Sequence, residues 1–529
     1  METTKANAEH NNEIASLKAV VKQQSQELAK MAELIKFYEG QLLALKRRQF
    51  GVSSEKTPPD IRQMTLYGNP APPEPPAPEM EQITYKRTKR QGKREEDLSG
   101  LPVERIDYEL PLEVRNCPEC GKSMADIGID TRRELKLVPA KVVVVEHAAH
   151  TYACKNCQEN SDSTPLVKAE APKPLISGSL ASASFVAHIV AQKYSNCLPL
   201  YRIEKGFQYE GVVISRQTMA NWVIKCATIY FFAIYELLKE FLLKETLLHS
   251  DDTRYQVLRE PGRKPQTKSA EWVYRTSGLS KHKIVFFEYK ETRGQEHPQA
   301  FLKDFKGYLH VDGYQAYHNL PEAIIAVGCW QHARSYWEKM VKVLPESKRA
   351  SSDALRGFNY INSLFGLERK WKDLAPEKRY ELRLEKSKPI ADAFFDWTEK
   401  LGALPKSPLG TASRYALSQR KYLENVFLDG RLELSNNRCE RSIKSFVMGR
   451  KNWLFASSPE GALSSSIMYT IIETAKENGL NPFHYIKYLL EVLPTANISA
   501  LESFLPWSHT LPDYCRVPAK SNSAGLDKS

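Results

Sequence analysis

Two stretches decide the fold: Thr246-Leu-Leu-His-Ser-Asp-Asp-Thr-Arg-Tyr-Gln-Val257 and Gly307-Tyr-Leu-His-Val-Asp-Gly-Tyr-Gln-Ala-Tyr317. In each, an apolar run leads into acid, at Asp251-Asp252 and at Asp312. Short apolar runs bounded by polar or turn residues read as buried strands. Glu271-Trp-Val-Tyr-Arg275, Lys283-Ile-Val-Phe-Phe-Glu-Tyr289 and Ile324-Ile-Ala-Val-Gly-Cys329 read as further strands, the last leading into a helix from about His332. Three strands, then a fourth and a fifth with intervening helices, is the element order of an RNase H-like α/β fold. Asp251 and Asp312 are expected at strand ends, where a sheet can bring them together. Taken alone, Asp312-Gly313 also reads as a turn, and Asp251 and Asp252 as solvated strand-end residues.

A third acid gives the pair a chemical meaning. Glu440 lies in Leu434-Ser-Asn-Asn-Arg-Cys-Glu-Arg-Ser-Ile-Lys-Ser-Phe446, a helix that Ser435 or Asn436 can cap. Asn437, Glu440, Arg441 and Lys444 share its polar face by i, i+3, i+4 and i+7 spacing, with Ile443, Phe446 and Val447 toward the core. Two divalent ions held by carboxylates can support in-line displacement at phosphorus. Magnesium, or manganese, takes few protein ligands, chiefly carboxylates. Asp251, Asp312 and Glu440 are therefore the candidate catalytic and metal-binding residues, bordered by phosphate-binding cations. A surface ion pair is the competing reading of Glu440. Arg450-Lys451-Asn452-Trp453 adds basic and aromatic character suited to DNA contact.

Asp251 and Asp312 are 61 residues apart, Asp312 and Glu440 128. The second gap exceeds any simple connection. Residues 340–430 hold helical stretches, Ala354–Leu374 and Lys378–Leu401, and read as an all-helical insertion in the catalytic domain.

The N-terminal half is modular. Taking Ile14 as position a, the heptad seam runs Ile14, Val21, Leu28, Ile35, Leu42, with Leu17, Gln24, Met31, Tyr38, Leu45 at d. This predicts a coiled coil and a homo-oligomer, most simply a dimer; an amphipathic helix packed on its own chain is the alternative. Residues 57–80 carry eight prolines and read as a linker. In residues 86–94, KRTKRQGKR, Lys86, Arg87, Lys89 and Arg90 are candidates for a flexible arm on phosphates, against a solvated charged tail. Cys117-Pro-Glu-Cys120 and Cys154-Lys-Asn-Cys157 flank the strand-like run Val142–Val145 and read as a structural zinc ribbon. Redox pairs are the alternative, with His147 and His150 as possible substitute ligands. Further on, helices are expected over Ala181–Tyr194, Leu200–Tyr209 and Arg216–Cys226, the last capped by Ser215. They resemble a helix-turn-helix, with Arg216, Gln217 and Asn221 as base readers, or else form an ordinary helical subdomain.

The expected domains are thus a coiled-coil helix at 1–56, the Pro-rich and basic linker at 57–100, and the zinc ribbon at 101–170. A helical, helix-turn-helix-like DNA-binding domain at 171–243 follows. The catalytic core comes in two parts, 244–339 and 431–480, around the insertion at 340–430, with a C-terminal helix and tail at 481–529. Lys plus Arg outnumber Asp plus Glu 75 to 63, and a formal charge of +12 suits a polyanionic partner, DNA first. The most apolar run, Ala227 to Tyr235, is too short to cross a bilayer, and the polar N-terminus lacks a signal-peptide core, so a cytoplasmic protein is expected. The nine cysteines fit a reducing compartment.

Long segments also resemble the transposases of the bacterial insertion-sequence-sixty-six family. They are LHSDDT, RGQEHPQAF, GYLHVDGYQAY, GCWQHARSYW, LELSNNRCERSIKSFVMGRKNWLFA, SPEGA and IETAKENGLNP, with CPECG, CKNC and LKRRQFGVSSEK upstream. The resemblance spans roughly residues 14–494. It implies a DDE transposase that cleaves element ends and joins them to target DNA, with a triad falling on Asp251, Asp312 and Glu440. His332 and Arg334 match the family's W-x-H-x-R segment as supporting residues. Asp252 stands where the family's first motif has a glutamate. The resemblance also implies terminal inverted repeats and target DNA as partners, and accessory proteins of the same element. A structure-specific RNase H-like nuclease and a non-catalytic DNA-binding regulator are the alternatives.

Overall fold

In this computed structural model the described residues are Lys122, 141–153 and 166–518. The expected coiled coil, the linker, the basic arm and all four knuckle cysteines fall outside them. Two units separate by their internal packing: residues 173–515 belong to one, and residues 141–153 and 166–172 to the other.

In the smaller unit, β1 (Thr151–Ala153) pairs antiparallel with β2 (Leu166–Lys168). The expected strand at Val142–Val145 is not one. Those valines have no ladder partner among the described residues, and Val144 is 89% exposed. Four β-branched residues supply propensity, but a strand needs a neighbour to pair with.

In the larger unit the five expected strands all form. They are β3 (Leu247–Gln256), β4 (Lys268–Thr276), β5 (Val285–Lys290), β6 (Gly307–Val311) and β7 (Ile324–Gly328), in the spatial order β5-β4-β3-β6-β7. β3, β4 and β5 are antiparallel neighbours; β6 and β7 run parallel to β3. Asp251 is not at a strand end, as the apolar run suggested. β3 continues to Gln256 because Asp252–Gln256 pair with Lys268–Trp272 of β4. What stops near Asp251 is the parallel ladder to β6, whose last pair is His249 with His310.

Helices surround the sheet. Before it come α1 (Ala183–Val190), extended by one wide turn to Ser195, α2 (Leu200–Tyr209), α3 (Arg216–Cys226) and α4 (Phe232–Leu243). Ser215 caps α3 by accepting from the Thr218 N–H at 3.1 Å, as expected. Between strands lies α5 (Glu296–Phe301), and after β7 comes α6 (Trp330–Val343). Then follow α7 (Asp353–Lys370), α8 (Pro376–Leu382), α9 (Lys388–Glu399), α10 (Pro408–Ser418) and α11 (Arg420–Glu424). The chain returns through α12 (Asn437–Trp453), α13 (Pro459–Glu477) and α14 (Pro482–Val492).

Two apolar cores result. One joins α1, α3, α4, the sheet, α12, α13 and α14 through Val190, Trp222, Leu238, Phe287, Phe446 and Ile471. The other gathers Trp330, Trp337, Ile361, Phe394, Phe395 and Leu423 from the helices between β7 and α12, with Leu247 and Val327 from the sheet. There α7 meets α6 at Gly357, where a Cβ would lie 2.3 Å from Trp337 Cε3.

The outer edge of β5 is covered rather than left open. The Val285 and Phe287 N–H groups donate to Thr474 Oγ1 (3.1 Å) and Thr470 Oγ1 (2.9 Å) of α13. An exposed row of strand donors invites pairing with another chain, and the helix closes it. Thr470→Val keeps the shape but strands the buried Phe287 N–H. It is expected to cost about 1–3 kcal/mol, read as a lowered urea midpoint.

Candidate active site

The geometry starts from a pair of histidines. His249 and His310 are ladder partners on β3 and β6, both fully buried, with rings stacked at 4.5 Å. Burial pushes His249 down to about 3 and His310 well below its usual range, so both are neutral. Side chains two residues apart on a strand share a face. Asp251 lies two residues beyond His249 on β3, and Asp312 two beyond His310, one residue past the end of β6, close enough for the Asp312 charge to raise Asp251.

Helix α12 brings Glu440 to the same place, and Asn436 docks it. Asn436 was a candidate cap, but its side chain makes no cap bond. Fully buried, it meets His249 Nδ1 through Oδ1 at 3.0 Å and donates from Nδ2 to Ser250 O at 2.7 Å. Its N–H donates to Cys329 Sγ at 3.2 Å, tying the loop after β7 to the same point. Arg275, buried on β4 as the ladder partner of His249, secures the helix from the same sheet face. It donates to Arg438 O (3.1 Å) and, through both terminal nitrogens, to the Glu477 carboxylate (2.9 and 3.3 Å).

The three acids are electrostatically joined. Burial first, then Asp312, and also Asp252 and Glu440, push Asp251 up to about 8, against the Asp252 N–H that donates to its Oδ1. Asp312 Oδ1 accepts from the Tyr314 N–H at 2.9 Å, which fixes that carboxylate. Glu440 Oε1 is buried without a hydrogen-bond partner, 3.8 Å from His332 Nε2. A cation would relieve both the repulsion at Asp251 and the orphaned oxygen. The hard oxygen donors suit magnesium or manganese.

Asp252 is occupied differently. It faces away from Asp251 by strand alternation and accepts from Arg293 Nε and, at 2.8 Å, Nη2. The Arg293 guanidinium lies 3.7 Å from the Tyr314 ring centre.

The other candidate residues divide. Asn437 is half-buried and Arg441 and Lys444 are exposed on the Glu440 face of α12. Arg334 turns away from the acids: it donates to Asn362 Oδ1 (3.2 Å) and lies over Phe358. Residues two apart on a helix point to opposite sides, so His332 and Arg334 cannot both face Glu440. Lys451 is exposed, whereas Arg450 donates to Thr253 Oγ1 (3.0 Å) and to Arg254 O. On α3, Arg216, Gln217 and Asn221 are exposed, with Gln217 Nε2 donating to Asn221 Oδ1 at 3.0 Å. Sequence reasoning passed over His249, His310, Arg275 and Arg293, and saw Asn436 as a cap. The one signal for the histidines was the repeated His-x-Asp spacing in LHSD and LHVD.

The model described as "Transposase IS66 family" matches residues 178–464, more than half the chain. The chain belongs to the IS66 transposase family. Residues 115–158 of this IS66-family chain match the zinc-finger binding domain of transposase IS66, a span that includes Cys117, Cys120, Cys154 and Cys157. Residues 470–507 match the IS66 C-terminal element, and residues 38–106 the model described as "Transposase C of IS166 homeodomain". Among curated relatives, "Uncharacterized protein y4qI" of Sinorhizobium fredii (strain NBRC 101917 / NGR234) is 29% identical, covering 94% of this chain and 92% of the relative. "Uncharacterized protein y4jD" of the same organism is 28% identical, covering 78% and 82%. Among the described residues of the IS66-family chain, no helix is long and apolar enough to cross a membrane.

Proposed function

We propose that the chain is a DDE-type DNA transposase that cuts at the ends of an insertion sequence and joins the freed strand to target DNA. The observation that carries this is the convergence of Asp251, Asp312 and Glu440 beyond the His249–His310 ladder pair. The strand order β5-β4-β3-β6-β7, antiparallel then parallel, supports an RNase H-like core, and the separate core of α6–α11 supports a helical insertion within it.

Asp251, Asp312 and Glu440 would hold two divalent ions, Mg2+ or Mn2+, which lower the pKa of bound water and stabilise charge on the leaving oxygen. A water then attacks the phosphodiester at the element's end and frees a 3′-hydroxyl, and that hydroxyl attacks target DNA in turn. His332 stands against Glu440, and Arg441 and Lys444 lie one turn or less away to contact phosphate. Arg216, Gln217 and Asn221 on α3 read bases in the terminal repeat; Lys451, Lys86, Arg87, Lys89 and Arg90 bind backbone. Arg450 braces β3, and Arg334 braces the helical segment. The four knuckle cysteines hold a structural Zn2+, the heptads of residues 14–45 form a dimer, and accessory proteins of the element assist in the cytoplasm.

The test is incubation of the purified chain with DNA carrying its own element's ends, a target plasmid and Mg2+. Cut ends and joined products are expected; cutting without joining would indicate a nuclease instead.

Two further outcomes follow from the geometry. Asn436→Ala releases the α12 docking point. It is expected to lower cleavage about 10–100-fold with end binding unchanged in a mobility-shift assay. Equal rates would remove Asn436 from the positioning role. Divalent metal binding should also depend on pH. Asp251, raised to about 8, is protonated in the metal-free fold at neutral pH and releases that proton to solvent when a metal binds. Manganese affinity, read by calorimetry, should rise up to about tenfold per pH unit from 6 to 8 and then level off. Without metal the sign reverses. The unfolded chain ionises this group from about pH 4 while the fold keeps it neutral, so stability falls as pH rises toward 8. A pH-independent manganese affinity would show that Asp251 does not hold the metal.

A further inference from the structure

Glu440 faces a second set of donors that are not all carboxylates. Cys329 Sγ, a His332 imidazole nitrogen and a Glu440 carboxylate oxygen all lie within 4.8 Å of one another. Cys329 is the residue before α6, His332 lies in the first turn of α6, and Glu440 comes from the first turn of α12.

Cys329 supplies the soft donor. Burial holds it as a thiol, while the Asn436 N–H donates to its Sγ at 3.2 Å and the Gln331 and His332 amides, also directed at it, partly offset that burial. Outer-shell donors of this kind orient metal ligands. Glu440 Oε1 is buried without a hydrogen-bond partner, and His332 Nε2 lies 3.8 Å from it. Buried polar atoms are normally satisfied, so an orphaned oxygen beside an imidazole and a thiol asks for an explanation.

We propose that Cys329, His332 and Glu440 form a site for a thiophilic divalent cation of the zinc class, and that filling it draws Glu440 away from magnesium-supported chemistry. The binding claim stands on this cluster alone; the inhibition claim rests on the role of Glu440 proposed above. One sulfur, one nitrogen and one oxygen select zinc over magnesium. Zinc holds sulfur at about 2.3 Å and nitrogen or oxygen at about 2.0 Å, so its tetrahedral ligands stand about 3.5 Å apart. Side-chain shifts of about an ångström would close the cluster onto the ion. Binding releases the Cys329 thiol proton to solvent and forms the sulfur–zinc bond.

The experiment equilibrates the full chain with Zn2+, removes excess by dialysis, and measures bound zinc by mass spectrometry. Cys329→Ser, which retains an oxygen acceptor for the amides, is expected to bind one zinc fewer per chain than the wild type. His332→Gln should lose the same equivalent, so the result does not depend on one variant folding. Circular dichroism checks each fold. Equal zinc content in all three would overturn the site. Separately, Zn2+ titrated into magnesium-supported cleavage should inhibit the wild type at least tenfold more strongly than Cys329→Ser, each compared with its own zinc-free rate. Equal inhibition would overturn the inhibitory role. Absence of any cleavage by the wild type would strike the transposase reading, while the zinc difference would still be measured.

Discussion

Asp312→Ala is expected to lower strand cleavage by about 10³-fold or more, roughly 4 kcal/mol of barrier, with end binding nearly unchanged. The carboxylate is held in place before any substrate arrives, because its Oδ1 accepts from the Tyr314 N–H just past β6. Its removal takes away one member of the charge cluster that raises Asp251. The variant should therefore also lose manganese affinity and bring Asp251 back toward the usual carboxylate range. Asp252→Asn provides the contrast. That acid is bonded to Arg293 on the opposite side of β3, so its loss should cost structure more than chemistry. End-labelled DNA on a sequencing gel measures cleavage, and a mobility shift measures binding. Cleavage by Asp312→Ala at the wild-type rate, from a sample free of contaminating nuclease, would take Asp312 out of the site.

The acids were legible because strands announce themselves by local apolar runs, and all five expected strands formed near their expected positions. The docking of α12 was not legible. Asn436 looks like a cap because caps are local, but its bonds go to His249 and Ser250, nearly two hundred residues earlier. No spacing rule joins residues that far apart. Asp251 seemed to end its strand because charge ended the apolar run. The strand continues because β4 offers partners to Gln256, and pairing is a property of the neighbour rather than of the run itself. The same lesson in reverse applies to Val142–Val145, where propensity met no partner among the described residues. Arg334 and His332 look like one motif in WQHAR, yet helical geometry sends them to different neighbours.

Arg383→Met should destabilise the larger unit by about 3–5 kcal/mol, the cost of breaking a buried ion pair and leaving its partners unmatched. Arg383 is 1% exposed, in the turn between α8 and α9. Its guanidinium pairs with Glu368 at 2.6 and 2.8 Å and donates to Asp429 O at 3.0 Å and Leu432 O at 2.6 Å. Methionine fills part of the volume but satisfies none of these acceptors. The carbonyls concerned belong to the strand of chain that returns from the helical segment to α12. Leu434, two residues beyond Leu432, accepts from the Trp330 N–H at 2.9 Å, and Asn436 follows with its bonds to β3. Loosening at 426–432 therefore reaches the residues that seat Glu440. Hydrogen exchange should rise at amides 426–436 before it rises in β3 and β4, and the urea midpoint should fall. Adding Glu368→Gln to Arg383→Met should cost less than the two single changes together, because the buried carboxylate no longer stands unpaired. Strictly additive losses, with exchange at 426–436 unchanged, would show that Arg383 only fills space.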